Sequence, residues 1–276
     1  MAYQDIALGL VFDGADVGEA ALTYAMSLIA PADGRLTSLL CVPWIEILGA
    51  PLIPLADAVV AQVNEERLGR AAAMKTTIES AATIQAFDAQ VRILNERRGS
   101  VIKAFSEAIR LSDLCVLPRP AGEFGPMKDI VEAAIFKSGR PIIIVPSDHI
   151  KPAEFGRIVV AWDGSARAAR AVGDSLSFLQ RAKQVDIVCV SKEPSKQVSG
   201  SDLAAHLTRR CKHIELIELP LIGGEASWSI REYALNNRAD LIVMGAVAHT
   251  RLFEVFLGGT TDDMIIAAET PVFLSY

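Results

Sequence analysis

The chain has 276 residues, which is enough for one large domain or for two domains of ordinary size. Hydrophobic residues make up 51% and charged residues 22%, a balance typical of a globular protein with a large buried core. The net charge of −6 argues against nucleic acid or an anionic membrane surface as a partner.

The cysteines and the N-terminal residues indicate the compartment. The four cysteines show no C-x-x-C spacing, so the sequence predicts neither a zinc site nor a dithiol motif. No basic segment followed by an apolar run opens the chain, and no apolar run approaches the roughly 20 residues that span a bilayer. We therefore expect a reducing compartment, and the cytoplasm as the location.

Continuous apolar runs separated by segments of helical spacing follow one another along the chain. Such runs are typical of parallel strands covered on both faces, joined by helical crossovers. In the first half we expect strands near 5–12, 36–43, 89–95, 113–118 and 141–146. In the second half we expect them near 157–162, 185–191, 214–219, 240–245 and 271–275.

The second half repeats the landmarks of the first in the same order, which indicates a duplication. The matched segments are 6–14 with 157–164, 39–42 with 187–190, 112–117 with 239–244, and 139–145 with 269–275. The sequence therefore predicts an α/β protein of two similar domains, 1–149 and 153–276. Each is expected to be an open, Rossmann-like sheet of five parallel strands flanked by helices.

The first half is longer between its landmarks, because Asp13 and Asp113 lie further apart than Asp163 and Asp240. The extra residues are expected around 44–70. They include an apolar stretch, Ile45–Leu55, which we expect to form a loop that covers its own domain, seals the domain interface or packs on a partner chain.

The segment after the fourth strand of the second half is rich in glycine and threonine. Gly245 ends the strand, and Gly258-Gly259-Thr260-Thr261 precedes a segment of helical spacing. Backbone N–H groups and the partial positive charge of a helix N-terminus together favour an anion such as phosphate. The first-half counterpart is shorter and reads Pro118-Arg119-Pro120, so it lacks two N–H donors. We expect the first half to be a poor phosphate site.

These residues resemble the universal stress protein family, whose tandem two-domain members have about this length. Nucleotide-binding members carry Gly-x-x-Gly, nine residues, and then Gly-Ser or Gly-Thr. Here Gly245 opens the pattern, Ala248 stands at the second glycine, and His249–Leu257 fills the nine positions before Gly258 and Gly259. Ala248 adds a Cβ where the family has glycine, and Gly259 lacks a hydroxyl that Thr260 or Thr261 can supply.

The resemblance implies ATP or AMP, with Mg²⁺, bound in the second domain. Asp163 would lie beside the phosphates or the metal bound with them, and the protein itself is expected to supply no dedicated metal site. The backbone around Val190 would contact the adenine, and Arg251 would add charge near the phosphates. The full set implied is Asp163, Gly164, Val190, Gly245, Ala248, His249, Arg251, Gly258, Gly259, Thr260 and Thr261. Asp262 and Asp263 would oppose a polyphosphate at the same helix end.

Simpler interpretations of the same residues stay open. Asp163-Gly164-Ser165 also fits a plain cap of the following helix, and the glycine loop also fits a turn without a ligand. No catalytic triad or general base is recognisable, so the chain is at most a slow ATPase.

We expect a stress-response switch in which nucleotide orders residues 245–261 and an unknown protein partner reads that order. By analogy with the family, the two domains would form a pseudo-twofold pair through Ile142–Val145 and Val272–Ser275, with a homodimer as a further possibility. The alternatives are an interaction protein that binds no nucleotide and a carrier of an apolar small ligand.

Overall fold

Parallel strands alternate with helices along the chain, as the apolar runs predict. A computed structural model describes residues 3–14, 18–29, 34–45, 54–191, 200–251, 254–257 and 259–276. The strands are β1 Asp5–Val11, β2 Arg35–Pro43, β3 Asp88–Glu96, β4 Leu114–Pro118, β5 Ile142–Val145, β6 Arg157–Ala161, β7 Gln184–Ser191, β8 Ile214–Pro220, β9 Leu241–Gly245, β10 Ala248–Arg251, β11 Glu254–Leu257 and β12 Val272–Ser275. The helices are α1 Glu19–Leu28, α2 Pro54–Gln85, α3 Arg98–Ala108, α4 Pro126–Lys137, α5 Ala166–Asp174, α6 Leu176–Leu179, α7 Gly200–Leu207, α8 Ala226–Asn236 and α9 Gly259–Ala267.

Ten strands form one sheet in the order β3-β2-β1-β4-β5-β12-β9-β6-β7-β8. Each half contributes five parallel strands, and the order of the second half mirrors that of the first. At the centre β5 and β12 pair antiparallel, with Phe273 opposite Ile143. The α/β prediction with two similar five-stranded halves is confirmed, and the last strands of the two halves are neighbours. The division near residue 150 stays a prediction.

Two apolar cores cover the two faces of this sheet, and each continues from one half into the other. Successive strand residues point to opposite faces, so Ile6 and Leu8 lie in one core while Ala7 lies in the other. Helices α1, α2, α5, α6 and α7 contribute to the first core, and α3, α4, α8 and α9 to the second. This burial on both faces explains why the strands read as continuous apolar runs.

Further contacts tie the halves together outside the central strand pair. The Tyr3 hydroxyl of the first half donates to the carbonyl of Asp174 in the second half. The Ala153 N–H donates to the Ser27 hydroxyl oxygen at 2.8 Å. The sheet and these side-chain contacts therefore hold both halves in one body.

The insertion of the first half is largely helical. The prediction of an apolar loop over Ile45–Leu55 is wrong at its C-terminal end, because α2 begins at Pro54. Proline is well tolerated in the first turn of a helix. Residues 46–53 lie outside the described residues. The helix continues for 32 residues, and Ala71 and Ile78 bury its C-terminal half in the core. Among the described residues, no helix is both long and apolar enough to cross a membrane.

The four cysteines are buried and free, and three of them lie in strands. These three are Cys41, Cys115 and Cys189. Burial raises the pKa of the Cys41 and Cys115 thiols well above the usual range. These thiols therefore behave as small apolar side chains rather than as nucleophiles.

Candidate functional site

The turn between β6 and α5 carries the first group of predicted site residues. Gly164 has φ +76°, a left-handed conformation that glycine adopts without strain. The Ser165 hydroxyl accepts a hydrogen bond from the Ala168 N–H at 3.1 Å and caps α5, while Asp163 Oδ1 accepts from the Ser165 N–H at 2.9 Å. The helix-cap interpretation is therefore confirmed, and the exposed Asp163 carboxylate still has an open side.

Gly245 is required by the packing of α5 against β9. A Cβ at this position would lie 2.6 Å from Ala168 N and 2.6 Å from the carbonyl carbon of Arg167. Because both are backbone atoms, a side chain would force the start of α5 away from the sheet. The first glycine of the motif thus has a structural role whether or not a ligand is bound.

The segment after Gly245 contains a hairpin that the sequence analysis did not predict. Strands β10 and β11 pair antiparallel, with His249 opposite Phe256 and Arg251 opposite Glu254. The structure describes only the backbone of these strands, so the predicted roles of Ala248, His249 and Arg251 stay predictions. Gly258 lies outside the described residues.

The start of α9 separates the two candidate threonines. Thr261 is fully buried, and its hydroxyl accepts a hydrogen bond from the Val247 N–H at 2.9 Å. Thr260 lines a cavity instead. Gly259 is exposed, and a Cβ there would meet no atom of the described residues within 4 Å. The hydroxyl that is available to a ligand is therefore that of Thr260.

A cavity of about 140 Å³ lies where the carboxyl ends of β6, β7 and β9 meet the N-terminus of α9. Four predicted site residues line it: Asp163, Val190, Gly245 and Thr260. The other lining residues are mostly apolar and are Ala161, Trp162, Ala168, Val188, Ala226, Ile230, Met244 and Val247. The cavity therefore has an apolar wall on the strands and polar groups toward the helix start.

Among the described residues that line this cavity, Asp163 carries the one titratable side chain. Cys189 of β7 packs in the core on the opposite face of the sheet, and burial raises the pKa of its thiol, so it stays protonated at neutral pH. Among the residues that the structure describes, no group of three or more His, Cys, Asp and Glu side chains can hold a metal ion.

The equivalent end of the first-half sheet is built differently. A cavity of about 200 Å³ lies there, lined by Val11, Asp13, Pro118, Arg119, Pro120, Ala121, Phe124, Gly125, Met127, Lys128, Ser147 and Ile266. Pro126 begins α4 and removes a third N–H donor, in addition to the two prolines noted in the sequence. Arg67 of α2 donates to the carbonyl oxygen of Asp13 at 2.5 Å. Arg67 thus contacts the first-half turn that is equivalent to the turn containing Asp163 in the second half.

Some lining residues were not singled out in the sequence. Ala226 and Ile230 belong to α8, and Trp162 directly precedes Asp163. Apolar residues at helical spacing indicate that one face of α8 is buried. This pattern does not distinguish the part of the face that packs in the core from the part that borders the cavity. Met244 directly precedes the motif and Val247 is one of its variable positions, so sequence reasoning reached them only through their proximity to Gly245.

Several solved structures share this fold over almost the whole chain. A universal stress protein from Archaeoglobus fulgidus DSM 4304 has a TM-score of 0.69 at 18% identity, covering 98% of this chain and 97% of that one. A functionally unknown protein from Pseudomonas aeruginosa PAO1 has a TM-score of 0.54 at 15% identity, covering 98% and 92%. The cytoplasmic domain of a prokaryotic cation chloride cotransporter has a TM-score of 0.50 at 11% identity, covering 98% and 94%. At these identities the likeness concerns the fold alone.

The sequence itself matches a known family in its second half. No curated protein sequence matches the chain significantly. Residues 154–275 match the model of the universal stress protein family, a range that contains β6 to β12 and the cavity described above. The second half of the chain therefore carries a universal stress protein domain, at residues 154–275.

Proposed function

We propose that the second half binds ATP or another adenine nucleotide and acts as a stress-response switch. The observation that carries the proposal is the cavity, because it brings Asp163, Val190, Gly245 and Thr260 together from separate elements. The carboxyl ends of parallel strands form the crevice in which open α/β sheets bind their ligands.

The base end of the nucleotide lies against the apolar wall. Val188 and Val190 of β7 and Ile230 of α8 provide the contact area that an aromatic base needs. A volume of about 140 Å³ is below the ~300–1,000 Å³ typical of sites for drug-sized ligands. The described residues therefore enclose only part of a nucleotide, and the phosphates extend toward α9.

The phosphate end lies at the start of α9, where the helix carries its partial positive charge. Gly259 leaves the approach to this helix end open, and Thr260 supplies a hydroxyl. The Val247 N–H is already bonded to Thr261, so one backbone donor of the loop is not available. Asp163 faces solvent beside this end and would hold a Mg²⁺ ion that arrives with the phosphates.

Binding changes what the hairpin β10–β11 presents to a partner, because the hairpin lies between Val247 and the start of α9. A switch of this kind requires no turnover, since a ligand shifts a conformational equilibrium by its differential affinity alone. A protein partner would then read the state of the hairpin.

Isothermal titration calorimetry with Mg-ATP tests the proposal. The wild-type protein is expected to bind, and Gly259→Asp is expected to abolish binding, because the new carboxylate repels phosphate and meets no atom of the described residues within 4 Å. Gly122→Asp is the matched control: it adds the same charge to the first-half loop, also without an atom within 4 Å. This control is expected to bind like the wild type.

The alternatives predict other results. An interaction protein without a nucleotide gives no heat with ATP or AMP at millimolar concentration. A carrier of an apolar ligand, which the mostly apolar wall of the cavity also favours, gives no heat with nucleotide but binds an apolar fluorescent probe. Equal losses in Gly259→Asp and Gly122→Asp would contradict the assignment of the site to the second half.

A further inference from the structure

A buried lysine of the first half neutralises an aspartate beside the proposed phosphate end. Lys128 lies in the first turn of α4, and its Nζ is paired with Oδ1 of Asp262, in the first turn of α9. The Lys128 side chain is 6% exposed, whereas that of Asp262 is 36% exposed. The pair therefore joins the two halves at the N-terminal end of α9, where Thr260 lines the second-half cavity.

Lys128 is paired with Asp262, and its charge also acts on the Glu132 carboxyl of its own helix. Lysine is almost never fully buried unless it is paired, because an isolated ammonium loses its hydration. The adjacent carboxylate, Asp263, is met by Arg231 of the second half, whose Nη2 lies 3.2 Å from Asp263 Oδ2. Each of the two acidic residues at the start of α9 thus has a basic partner, one from each half.

The first half also holds the opposite end of α9. Nη1 of Arg119, in the proline-rich loop after β4, donates to the carbonyl oxygen of Ala268 at 2.8 Å. This carbonyl directly follows the last residue of the helix. The first half therefore contacts α9 at both ends, through Lys128 and Arg119.

We propose that Lys128 sets the anion affinity of the second half by neutralising Asp262 and fixing the start of α9. The inference rests on the proposed function, since it concerns the phosphate end of the same site. Without Lys128, Asp262 carries an uncompensated negative charge where the phosphates approach. The first half, which is expected to bind phosphate poorly, then contributes to the anion site of the second half. Lys128 acts there as a positioning residue.

Titrations of four proteins with Mg-ATP test this inference: the wild type, Lys128→Met, Lys128→Met with Asp262→Asn, and Lys103→Met. Lys103 is an exposed lysine on α3 and serves as the matched control. Lys128→Met is expected to weaken binding about tenfold, the order expected for one uncompensated charge close to the ligand. Adding Asp262→Asn removes that charge and is expected to restore affinity to within a few-fold of the wild type.

Recovery of Mg-ATP affinity in the double variant distinguishes an electrostatic role of Lys128 from a purely structural one. If Lys128→Met binds as tightly as Lys103→Met, the inference is overturned. It is also overturned if the double variant stays as weak as Lys128→Met, because the loss then comes from the packing of α9. Hydrogen exchange of the α9 amides, measured without ligand, is expected to rise in Lys128→Met and not in Lys103→Met; an unchanged rate would contradict the fixing of the helix start.

A parallel titration with inorganic triphosphate separates this inference from the proposed function. Triphosphate carries the charge of the nucleotide without its base. If the wild-type protein binds triphosphate but not ATP, nucleotide binding is refuted while the comparison of the Lys128 variants still decides the inference. If it binds neither, both are refuted.

Discussion

The Thr261 hydroxyl accepts a hydrogen bond from the Val247 N–H at 2.9 Å, and the Thr261 side chain is fully buried. Val247 directly precedes β10 and Thr261 lies in the first turn of α9, so this bond closes the base of the hairpin. The motif therefore uses one of its two threonines to hold its own backbone and leaves Thr260 at the cavity.

Replacing Thr261 with valine keeps the shape of the side chain and removes the acceptor. The Val247 N–H then lacks its partner, and we expect the free energy of unfolding to fall by about 1–3 kcal/mol. Urea denaturation measures this loss. Thr77→Val, at an exposed position of α2, is the control and is expected to change stability by less than about 0.5 kcal/mol. Equal effects of the two substitutions would show that the bond adds nothing.

Gly245 and Gly259 are expected to respond oppositely to alanine. A methyl group at Gly245 meets backbone atoms of α5 at 2.6 Å, so Gly245→Ala is expected to destabilise the protein by about 1–3 kcal/mol. Gly259→Ala meets no atom of the described residues within 4 Å and lies in a helix, where alanine is favoured over glycine. Thermal unfolding is expected to rank Gly245→Ala well below the wild type and Gly259→Ala at or above it. The reverse order would contradict the described packing of α5 on β9.

Gly259→Ser restores the residue type that the family pattern has at this position. The new side chain has open space, and its hydroxyl adds a hydrogen-bond donor at the phosphate end. We expect the affinity for Mg-ATP to rise several-fold, since a hydrogen bond to a charged group contributes about 1.5–3 kcal/mol before the cost of ordering. Calorimetric comparison of Gly259→Ser with Gly259→Ala separates the effect of the hydroxyl on affinity from the effect of a higher helix propensity. Equal affinities of the serine and alanine variants would refute this role.

Glu132 makes the stability of the protein depend on pH. Burial raises the pKa of the Glu132 carboxyl, and Lys128 opposes this shift in part. Because the folded-state pKa lies above the unfolded one, the folded protein loses stability as the pH rises through this interval. Glu132→Gln is therefore expected to raise the Tm at pH 7 and to have little effect at about pH 4, where the carboxyl is largely protonated in both states.

The control for this prediction is Glu107→Gln, an exposed residue on α3. Thermal unfolding from about pH 4 to pH 8 is expected to show a growing difference between Glu132→Gln and the wild type, and no such trend for Glu107→Gln. A Tm gain in Glu132→Gln that is constant with pH would contradict an origin in ionisation.

The strands were predictable because a strand that is buried on both faces of the sheet has apolar residues at nearly every position. Ile142–Val145, for example, is apolar at every position and forms β5 between two neighbouring strands. The repeat then indicated the topology, since equivalent runs recur in the same order. The meeting of β5 and β12 was expected from the family rather than from any residue.

The hairpin and the length of α2 were not predicted, for two physical reasons. Strands β10 and β11 have four residues each, which is too short for an alternation of apolar and polar residues to be recognised between the flanking glycines. In α2, Pro54 looked like a loop residue but begins a helix, a position where proline is well tolerated.

The residues of the site were found by motif, but their partners were not. The sequence offered Thr260 and Thr261 as equal candidates, and only the packing shows which one is buried. Asp262 was expected to oppose phosphate, and its neutralisation by Lys128 joins positions in different halves of the chain. No local pattern reports a contact of this kind.

The number of ATP molecules bound per chain tests the central claim most directly. Equilibrium dialysis with labelled Mg-ATP measures that number at saturation, without any variant. A duplicated fold with one remaining nucleotide site in its second half predicts one ATP per chain. A value of two would contradict the asymmetry between the halves, and a value of zero would contradict nucleotide binding itself.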